Sequence, residues 1–223
     1  MHKDQLAFVT FTPFTDFLIT ASIDGQVSFW KKVASGDVEF VKEFKAHNGE
    51  IRSVSVSWDG RNFASAGADG SIKIWDVVTF DLVAVMSVEK SPGVVCWCHS
   101  RGAGVPLLAV GNVVDGEIAV FDGRGEGQEP LHVVKGLHRR PVVAMAFNAE
   151  YDCVISADEG GMVEYWRPSG NYDKPENVFA MKSSTNLFEF KKVYLLWREL
   201  VVDVFLQKLG KIRTDVDHDI SGW

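Results

Sequence analysis

Histidine, serine and aspartate recur together along this chain, and these three residue types could form a hydrolase triad. The best-defined set is His47, Ser65 and Asp69. A nucleophilic serine in many hydrolases sits in a Gly-x-Ser-x-Gly elbow, and the sequence contains no such motif. We therefore expect no hydrolase activity.

Two other patterns could bind a ligand. The glycine-rich segment 122–127 resembles a loop that cradles phosphate, but no helix pattern follows it and Glu126 would repel a phosphate. The three cysteines, Cys96, Cys98 and Cys153, are odd in number and lack the spacing of metal ligands. Because residues alternate along a strand, Cys96 and Cys98 should share one face. We expect neither a metal nor a cofactor.

The composition narrows the class of partner. The 223 residues carry 30 acidic and 23 basic side chains, a net charge of -7, and 46% of them are hydrophobic. Direct binding to nucleic acid depends on a surplus of Lys and Arg, so it is not expected. The most apolar stretch, 193–209, contains four charged residues, which excludes a membrane-spanning helix. We expect a soluble, intracellular protein with a sizeable core.

A short motif returns every 45 or 46 residues. Asp24-Gly25-Gln26-Val27-Ser28-Phe29-Trp30 is followed by related segments that end at Trp75, Phe121 and Trp166. A period of ~40–45 residues is typical of stacked four-stranded blades. The sequence therefore predicts four blades.

The polar residues keep the same register as the repeat. His2, His47 and His138 each lie 28 residues before a tryptophan, and a Thr or Ser lies 10 residues before it. Three histidines spaced a blade apart cannot converge on one metal ion. A structural role in each blade is the expected one.

The elements that position these residues are short strands. Apolar runs such as 17–20, 63–66 and 153–156 are typical of buried strands, while 72–74 alternates as a half-exposed strand does. Asp-Gly pairs join consecutive strands as tight hairpins. No helix signal interrupts them, so we predict an all-β fold.

These motifs resemble the WD-repeat family over residues 1–166, and they include the Trp75-Asp76 dipeptide itself. The resemblance implies a β-propeller, of which this chain would supply four blades of an incomplete ring. It also implies a buried hydrogen-bonded tetrad in each blade. The tetrad residues are then His2, Thr20, Asp24 and Trp30 in blade one, His47, Ser65, Asp69 and Trp75 in blade two, and His138, Ser156 and Trp166 in blade four.

Two blades depart from the family pattern. Counting back from Phe121 puts Gly93 at the His position and Gly111 at the Ser position of blade three, so apolar packing should replace its polar chain. Blade four has Gly160 at the Asp position. Either Asp158 or Glu159 could take its place.

Several blocks, among them 1–4, 29–32 and 185–190, are similar to the peptidyl-prolyl isomerase domain and WD repeat-containing proteins. That resemblance implies a nuclear, spliceosome-associated cyclophilin with an N-terminal propeller. It implies protein or peptide partners in RNA-processing or chromatin complexes. The charges in segment 193–209 argue against a membrane as partner. The expected function is a non-catalytic interaction scaffold. The alternative is a peptidyl-prolyl isomerase whose catalytic domain lies outside this chain.

Length and the C-terminal segment bear on these alternatives. Seven blades of ~45 residues would need roughly 315 residues, so we expect a truncated propeller over 1–192 followed by a tail over 193–223. No cyclophilin motif occurs in the tail, and hence no catalytic residue can be assigned. The spacing of apolar residues over 194–209 predicts an amphipathic helix. This tail could be a ligand for a groove or, as we favour, an abnormal end of a truncated gene.

The rim of a propeller is where partners bind, at the loops that follow each histidine. Glu50, Arg52, Arg139 and Arg140 are the candidate contacts there, because arginine suits acidic or phosphate groups. An incomplete ring should also leave the outward faces of blades one and four open. We expect the apolar surface around Trp30 and Trp166 to be exposed to water and to drive association.

Overall fold

The computed structural model describes residues 4–99, 102, 104–149, 151–168, 170–172 and 181–182. They form sixteen strands in chain order. The strands are β1 Leu6–Phe11, β2 Phe17–Ser22, β3 Gln26–Lys32, β4 Val38–Lys45, β5 Ile51–Val56, β6 Asn62–Gly67, β7 Ser71–Asp76, β8 Leu82–Ser87, β9 Pro92–Trp97, β10 Leu107–Asn112, β11 Ile118–Asp122, β12 His132–Val134, β13 Val142–Asn148, β14 Cys153–Asp158, β15 Met162–Trp166 and β16 Met181–Lys182.

The strands make four antiparallel sheets, each a meander of four consecutive strands. We call them the first sheet (β1–β4), second sheet (β5–β8), third sheet (β9–β12) and fourth sheet (β13–β16). The prediction of an all-β fold with four propeller-type blades is confirmed for the described residues. None of these residues forms a helix that could span a membrane.

Glycine is required in the hairpin between β2 and β3. Gly25 has a φ of +92°, a conformation that side chains rarely adopt. A Cβ at this position would lie 2.2 Å from the carbonyl oxygen of His47. The chain that enters the second sheet therefore passes directly over the turn of the first.

Three apolar clusters hold neighbouring sheets together. One joins the first and second sheets around Phe29 and Phe63, and another joins the second and third around Ile72 and Leu108. The last joins the third and fourth sheets around Trp166. Among the described residues, no such cluster joins the first sheet to the fourth.

The third sheet shows how one strand serves two clusters. Cys96 and Cys98 lie in the cluster with the fourth sheet, and Trp97 lies in the cluster with the second. The prediction that the two cysteines share a face is confirmed.

The expectation of an exposed Trp166 is wrong. This side chain is fully buried because its face of the fourth sheet packs on the third sheet. The predicted tail helix lies outside the described residues, which all belong to one compact unit, Met1–Phe188.

Candidate functional site

The second sheet contains a continuous chain of hydrogen bonds. The indole N–H of Trp75 donates to Ser65 Oγ at 3.3 Å, and Ser65 Oγ lies 2.8 Å from Nε2 of His47. Nδ1 of His47 lies 3.0 Å from Oδ1 of Asp69. Asp69 also accepts the backbone N–H of Asn48 at 2.9 Å. The carboxylate thus ties the loop before β5 to the turn between β6 and β7.

The surroundings of His47 in this series of hydrogen bonds keep its imidazole ring neutral. Burial lowers the pKa of His47 below 6.5, although the Asp69 carboxylate opposes that shift. Partial burial raises the pKa of Asp69, but hydrogen bonds from Asn48, Ser71 and His47 outweigh it, and the pKa is lowered well below its usual value. A neutral ring with its proton on Nδ1 donates to Asp69 and accepts the Ser65 hydroxyl proton, so every group is satisfied.

The order of groups, serine to histidine to aspartate, is that of a hydrolase triad. Ser65 and His47 are 0% and 1% exposed, however, and the indole of Trp75 bonds to the serine oxygen. A nucleophile must reach its substrate, and this one has no access to it. In this position the arrangement holds two strands and a loop together.

The fourth sheet contains a shorter version of the chain. His138 Nε2 lies 2.7 Å from Ser156 Oγ, and His138 Nδ1 lies 3.3 Å from Oδ2 of Asp158. Asp158, not Glu159, therefore takes the place of the aspartate that Gly160 replaces. The indole nitrogen of Trp166 is buried and has no hydrogen-bond partner among the described atoms. The structure brings three of these residues together and leaves the tryptophan in apolar packing.

The first sheet shows part of the pattern. The indole N–H of Trp30 donates to Thr20 Oγ1 at 2.9 Å. Asp24 accepts hydrogen bonds from Ser22 and from the side chain of Gln26, and these bonds lower its pKa. His2 lies outside the described residues.

The third sheet corrects the assignment of its variant positions. The backbone N–H of Val88 donates a hydrogen bond to the carbonyl oxygen of Gly70. The backbone N–H of His47 makes the equivalent contact with the carbonyl oxygen of Gly25. Val110 pairs with Ala119 as Ser65 pairs with Lys73. Valines, not Gly93 and Gly111, thus occupy the His and Ser positions. The turn between β10 and β11 is one residue longer than its counterpart in the second sheet, and the loop between β9 and β10 is four residues longer.

The aspartate of the third sheet is bound differently. Asp115 accepts Asn112 Nδ2 at 2.8 Å and lies 2.7 Å from Nζ of Lys90. The lysine hydrogen bond lowers the pKa of Asp115 to about 2. Sequence spacing alone missed both partners, because neither belongs to the repeated motif.

The four candidate contact residues differ in their exposure to solvent. Glu50, Arg139 and Arg140 are exposed. Arg52 is half-buried, and its Nη1 donates to Ser91 Oγ at 2.6 Å and to the carbonyl oxygen of Pro92 at 3.2 Å. Arg52 therefore links the second and third sheets.

A groove of about 610 Å³ lies beside the fourth sheet. Arg139 and Arg140 both line it, and neither has an ion-pair partner within the described part of the chain. A Cβ on Gly160 would lie 3.2 Å from Arg140 Cδ, so the missing side chain lets the arginine stem pack there. Repeat spacing alone gives no sign of this groove.

The glycine-rich segment after β11 is a turn. The guanidinium of Arg124 pairs with the carboxylate of Asp122, and the N–H of Gly125 donates to the Asp122 carbonyl. A Cβ on Gly123 would lie 2.2 Å from the ring of Trp97. Close packing therefore accounts for this glycine without a phosphate.

Comparison with known proteins identifies the repeats. The family described as "WD domain, G-beta repeat" matches residues 1–31 and 38–76. The chain is 42% identical over 194 residues to peptidylprolyl isomerase domain and WD repeat-containing protein 1 of Homo sapiens. It is 39% identical over 193 residues to peptidyl-prolyl cis-trans isomerase cyp15 of Rhizopus delemar.

These two matches cover 86% of this chain but 30% of the length of each relative. A third relative is the U5 small nuclear ribonucleoprotein 40 kDa protein of Dictyostelium discoideum. It is 26% identical, and the match covers 74% of this chain and 44% of that protein.

Proposed function

The chain belongs to the WD-repeat family, and on that premise we propose that it is a non-catalytic scaffold that binds protein partners. One observation carries the proposal. The polar groups that resemble catalytic machinery are buried and joined to one another, as in His47 and Ser65, whereas Arg139 and Arg140 remain exposed at a groove. The exposed charged groups are therefore suited to binding a partner.

The names of its relatives support a cellular setting for this scaffold. A small nuclear ribonucleoprotein component is among them. We therefore propose that the chain acts in the nucleus, in complexes that process RNA. The net charge of -7 favours contact with proteins of those complexes over contact with the RNA.

The partner surface in this proposal is formed by Glu50, Arg139 and Arg140. Two adjacent guanidinium groups suit an acidic side chain or a phosphorylated residue on the partner. Both arginines are solvent-exposed, so the partner would not have to displace an existing ion pair. Partner binding should weaken with salt.

Affinity purification from nuclear extract tests the scaffold function. We expect RNA-processing proteins to co-purify with the chain and to be lost when Arg139 and Arg140 are both changed to Glu. Lys31 and Lys32 are an equally exposed pair of cations on the first sheet, and the K31E/K32E variant is the matched control. Equal recovery with both variants, or no RNA-processing protein above background, would contradict the proposal.

The second candidate function is that of an isomerase. Relatives that carry that name are about three times as long as the segment they share with this chain. We propose that the isomerase activity resides outside these residues. The purified chain should leave prolyl isomerisation at its uncatalysed rate, tens to hundreds of seconds. A cyclosporin-sensitive acceleration would overturn this, and the mass of the endogenous protein would show whether a catalytic domain is attached.

A further inference from the structure

The last strand of the second sheet, β8, lies at the edge of that sheet and differs in sequence from β4 and β12. A strand at an edge leaves one row of backbone N–H and C=O groups unpaired, and charges or short length usually protect it. β4 contains four charged residues, and β12 has only three residues in all. β8 has the sequence Leu-Val-Ala-Val-Met-Ser, with neither a charge nor a proline. This edge therefore lacks the usual protection.

Apolar side chains of β8 are exposed although the second sheet has a neighbouring sheet on each face. Leu82, Val83 and Val85 are 43%, 52% and 45% exposed, whereas Met86 is fully buried. The first and third sheets both pack on the second. The exposed side chains therefore belong to the edge of the sheet and not to a face that another sheet would cover.

A side-chain amide from the third sheet already contacts this edge. The backbone N–H of Ser87 donates to Oε1 of Gln128 at 3.0 Å, and Nε2 of Gln128 lies 3.5 Å from the carbonyl oxygen of Val85. A residue of an additional strand would offer its own C=O and N–H to the same two groups. Gln128 thus takes the place of one residue of a further strand.

The contacts of Gln128 also show which way the edge groups point. The N–H and C=O of one residue lie on the same side of a strand, and the side alternates from residue to residue. Val85 is two residues from Ser87, so the N–H of Val85 also points away from β7. A partner strand would meet both of these N–H groups.

The glycine-rich segment 122–127 brings Gln128 to the edge. Gly125 has a φ of +73°, and a Cβ at this position would lie 2.2 Å from Cβ of Ala84 on β8. Only a residue without a side chain lets the turn approach β8 so closely. The segment that resembles a phosphate-binding loop therefore holds an amide against a strand.

The unpaired charges beside this edge are negative. Four exposed carboxylates flank β8 in sequence or lie in and next to the glycine-rich segment, and they are Asp81, Glu89, Glu126 and Glu129. None of the four forms an ion pair within the described part of the chain. Arg124, the cation of the same segment, is paired with Asp122. A basic partner complements these charges.

We propose that the edge of β8 binds an extended, basic segment of a protein partner, which adds a fifth strand to the second sheet. Backbone hydrogen bonds to Val85 and Ser87 hold the segment, and its apolar residues contact Val83 and Val85. Its lysines or arginines face the four carboxylates. The segment displaces the side chain of Gln128. This surface is separate from the groove beside the fourth sheet and does not depend on what that groove binds.

A synthetic peptide tests the proposal. The probe is a fluorescein-labelled peptide of sequence Lys-Val-Thr-Val-Thr-Val-Lys, and fluorescence anisotropy with the full chain measures its affinity. We expect saturable binding that weakens as salt is added. Replacement of both lysines of the probe by glutamate should weaken binding further, because the edge is acidic.

Methylation of backbone nitrogens separates strand pairing from other modes of binding. An added strand pairs through alternate residues only. One version of the probe is N-methylated at its valines and another at its threonines. One of the two should bind about tenfold more weakly or worse, because it loses its hydrogen bonds to β8, while the other keeps the affinity of the probe.

Variants of the chain locate the binding site. Val83→Lys places a cation on the edge and should weaken binding of the probe by about tenfold or more. Val41→Lys is the matched control, because Val41 is an exposed valine at the equivalent bulge of β4, and its affinity should be unchanged. Val85→Pro removes an N–H that points away from β7 and should also weaken binding. Circular dichroism checks that each variant keeps its strands.

A variant that gains affinity is independent of any folding defect. Gln128→Ala removes the amide that competes with the probe, and binding should become tighter by about threefold or more. The double change of Arg139 and Arg140 to Glu should leave the affinity for the probe unchanged. The result at β8 and the result at the groove are thus distinguishable.

Three results would overturn the proposal. Absence of saturable binding would show that the edge does not accept a strand. Equal weakening by Val83→Lys and Val41→Lys would show that the probe responds to the charge of the chain and not to β8. Equal affinity of the two N-methylated probes would show that the peptide is held without strand pairing.

Discussion

The indole N–H of Trp75 ends a chain of three hydrogen bonds that begins at the carboxylate of Asp69. Each link is satisfied because a neutral imidazole is a donor on one nitrogen and an acceptor on the other. A buried polar group without a partner costs about 1–3 kcal/mol, so removal of one member leaves the others unpaired. The four hydrogen-bonded residues therefore form a unit in which each depends on the others.

Replacement of Asp69 by Ala tests that dependence. The change leaves the buried ring N–H of His47 and the backbone N–H of Asn48 without their acceptor. We therefore expect it to lower the free energy of unfolding by about 1–3 kcal/mol. Urea denaturation measures the loss. Asp115→Ala is the control, and its loss should be smaller because water can replace the exposed pair with Lys90. Equal losses would argue against a special role for the chain.

Stability should also depend on pH through the same residues. The folded-state pKa of His47 is below 6.5, so the unfolded chain binds more protons as the pH falls below that value. The free energy of unfolding should therefore drop on acidification from pH 7 towards pH 5. Protonation of Asp69 adds a second drop below pH 3.8, since its folded-state pKa is also lowered.

Denaturation at several pH values measures both effects. Burial lowers the pKa of His99 as well, so His99 contributes in the same direction. His47→Gln and His99→Gln should each remove part of the drop between pH 7 and pH 5. A slope that neither variant changes would contradict the assignment.

At the scale of elements, polar side chains of β5 connect the second sheet to the third. Ser53 Oγ accepts the N–H of Val95 at 3.1 Å, and Ser55 Oγ accepts the N–H of Trp97 at 3.0 Å. These N–H groups lie on the first strand of the third sheet, at the edge of that sheet. Serine hydroxyls thus satisfy backbone donors that a neighbouring strand would otherwise bind. Arg52 adds two further hydrogen bonds on the same side.

Arg52→Ala should act on stability. The change removes the guanidinium that bonds to Ser91 and to the Pro92 carbonyl, and we expect a loss of about 1–3 kcal/mol in the free energy of unfolding. Glu50→Ala, at an exposed position two residues earlier, should have little effect. Thermal melts of both variants check this. A destabilised Glu50 variant beside an unchanged Arg52 variant would reverse the assignment.

The apolar clusters form a series along the chain, in which each sheet packs on the next. The second and third sheets each pack against a neighbouring sheet on both faces, while the first sheet has one exposed apolar face. Stability in such repeats is approximately a sum of repeat and nearest-neighbour terms. The cost of an apolar truncation should therefore depend on its place in the series.

Two phenylalanines allow that comparison. Phe63 is fully buried between the first and second sheets, and Phe63→Ala should cost about 3–5 kcal/mol because it leaves a cavity. Phe11 is 70% exposed, and Phe11→Ala should change the free energy of unfolding little at low protein concentration. Urea denaturation of both variants measures the two losses, and a loss at Phe11 as large as that at Phe63 would contradict the prediction.

The repeat period by itself determined most of the local structure. The 45- or 46-residue spacing of the motifs predicted the all-β class, the hairpins and the positions of His47, Ser65, Asp69 and Trp75. It could do so because each blade repeats the same short-range constraints. It also placed Cys96 and Cys98 on one face, since alternation along a strand depends on nothing beyond that strand.

Tertiary structure decided what depends on register and on neighbours. One extra residue in the turn after β10 moves Val110 into the Ser position, because a shift of one residue reverses the faces of a strand. The choice of Asp158, the bonds of Arg52 and the burial of Trp166 depend on loops and sheets that are distant in sequence. Those contacts form between repeats, and the pattern within one repeat carries no information about them.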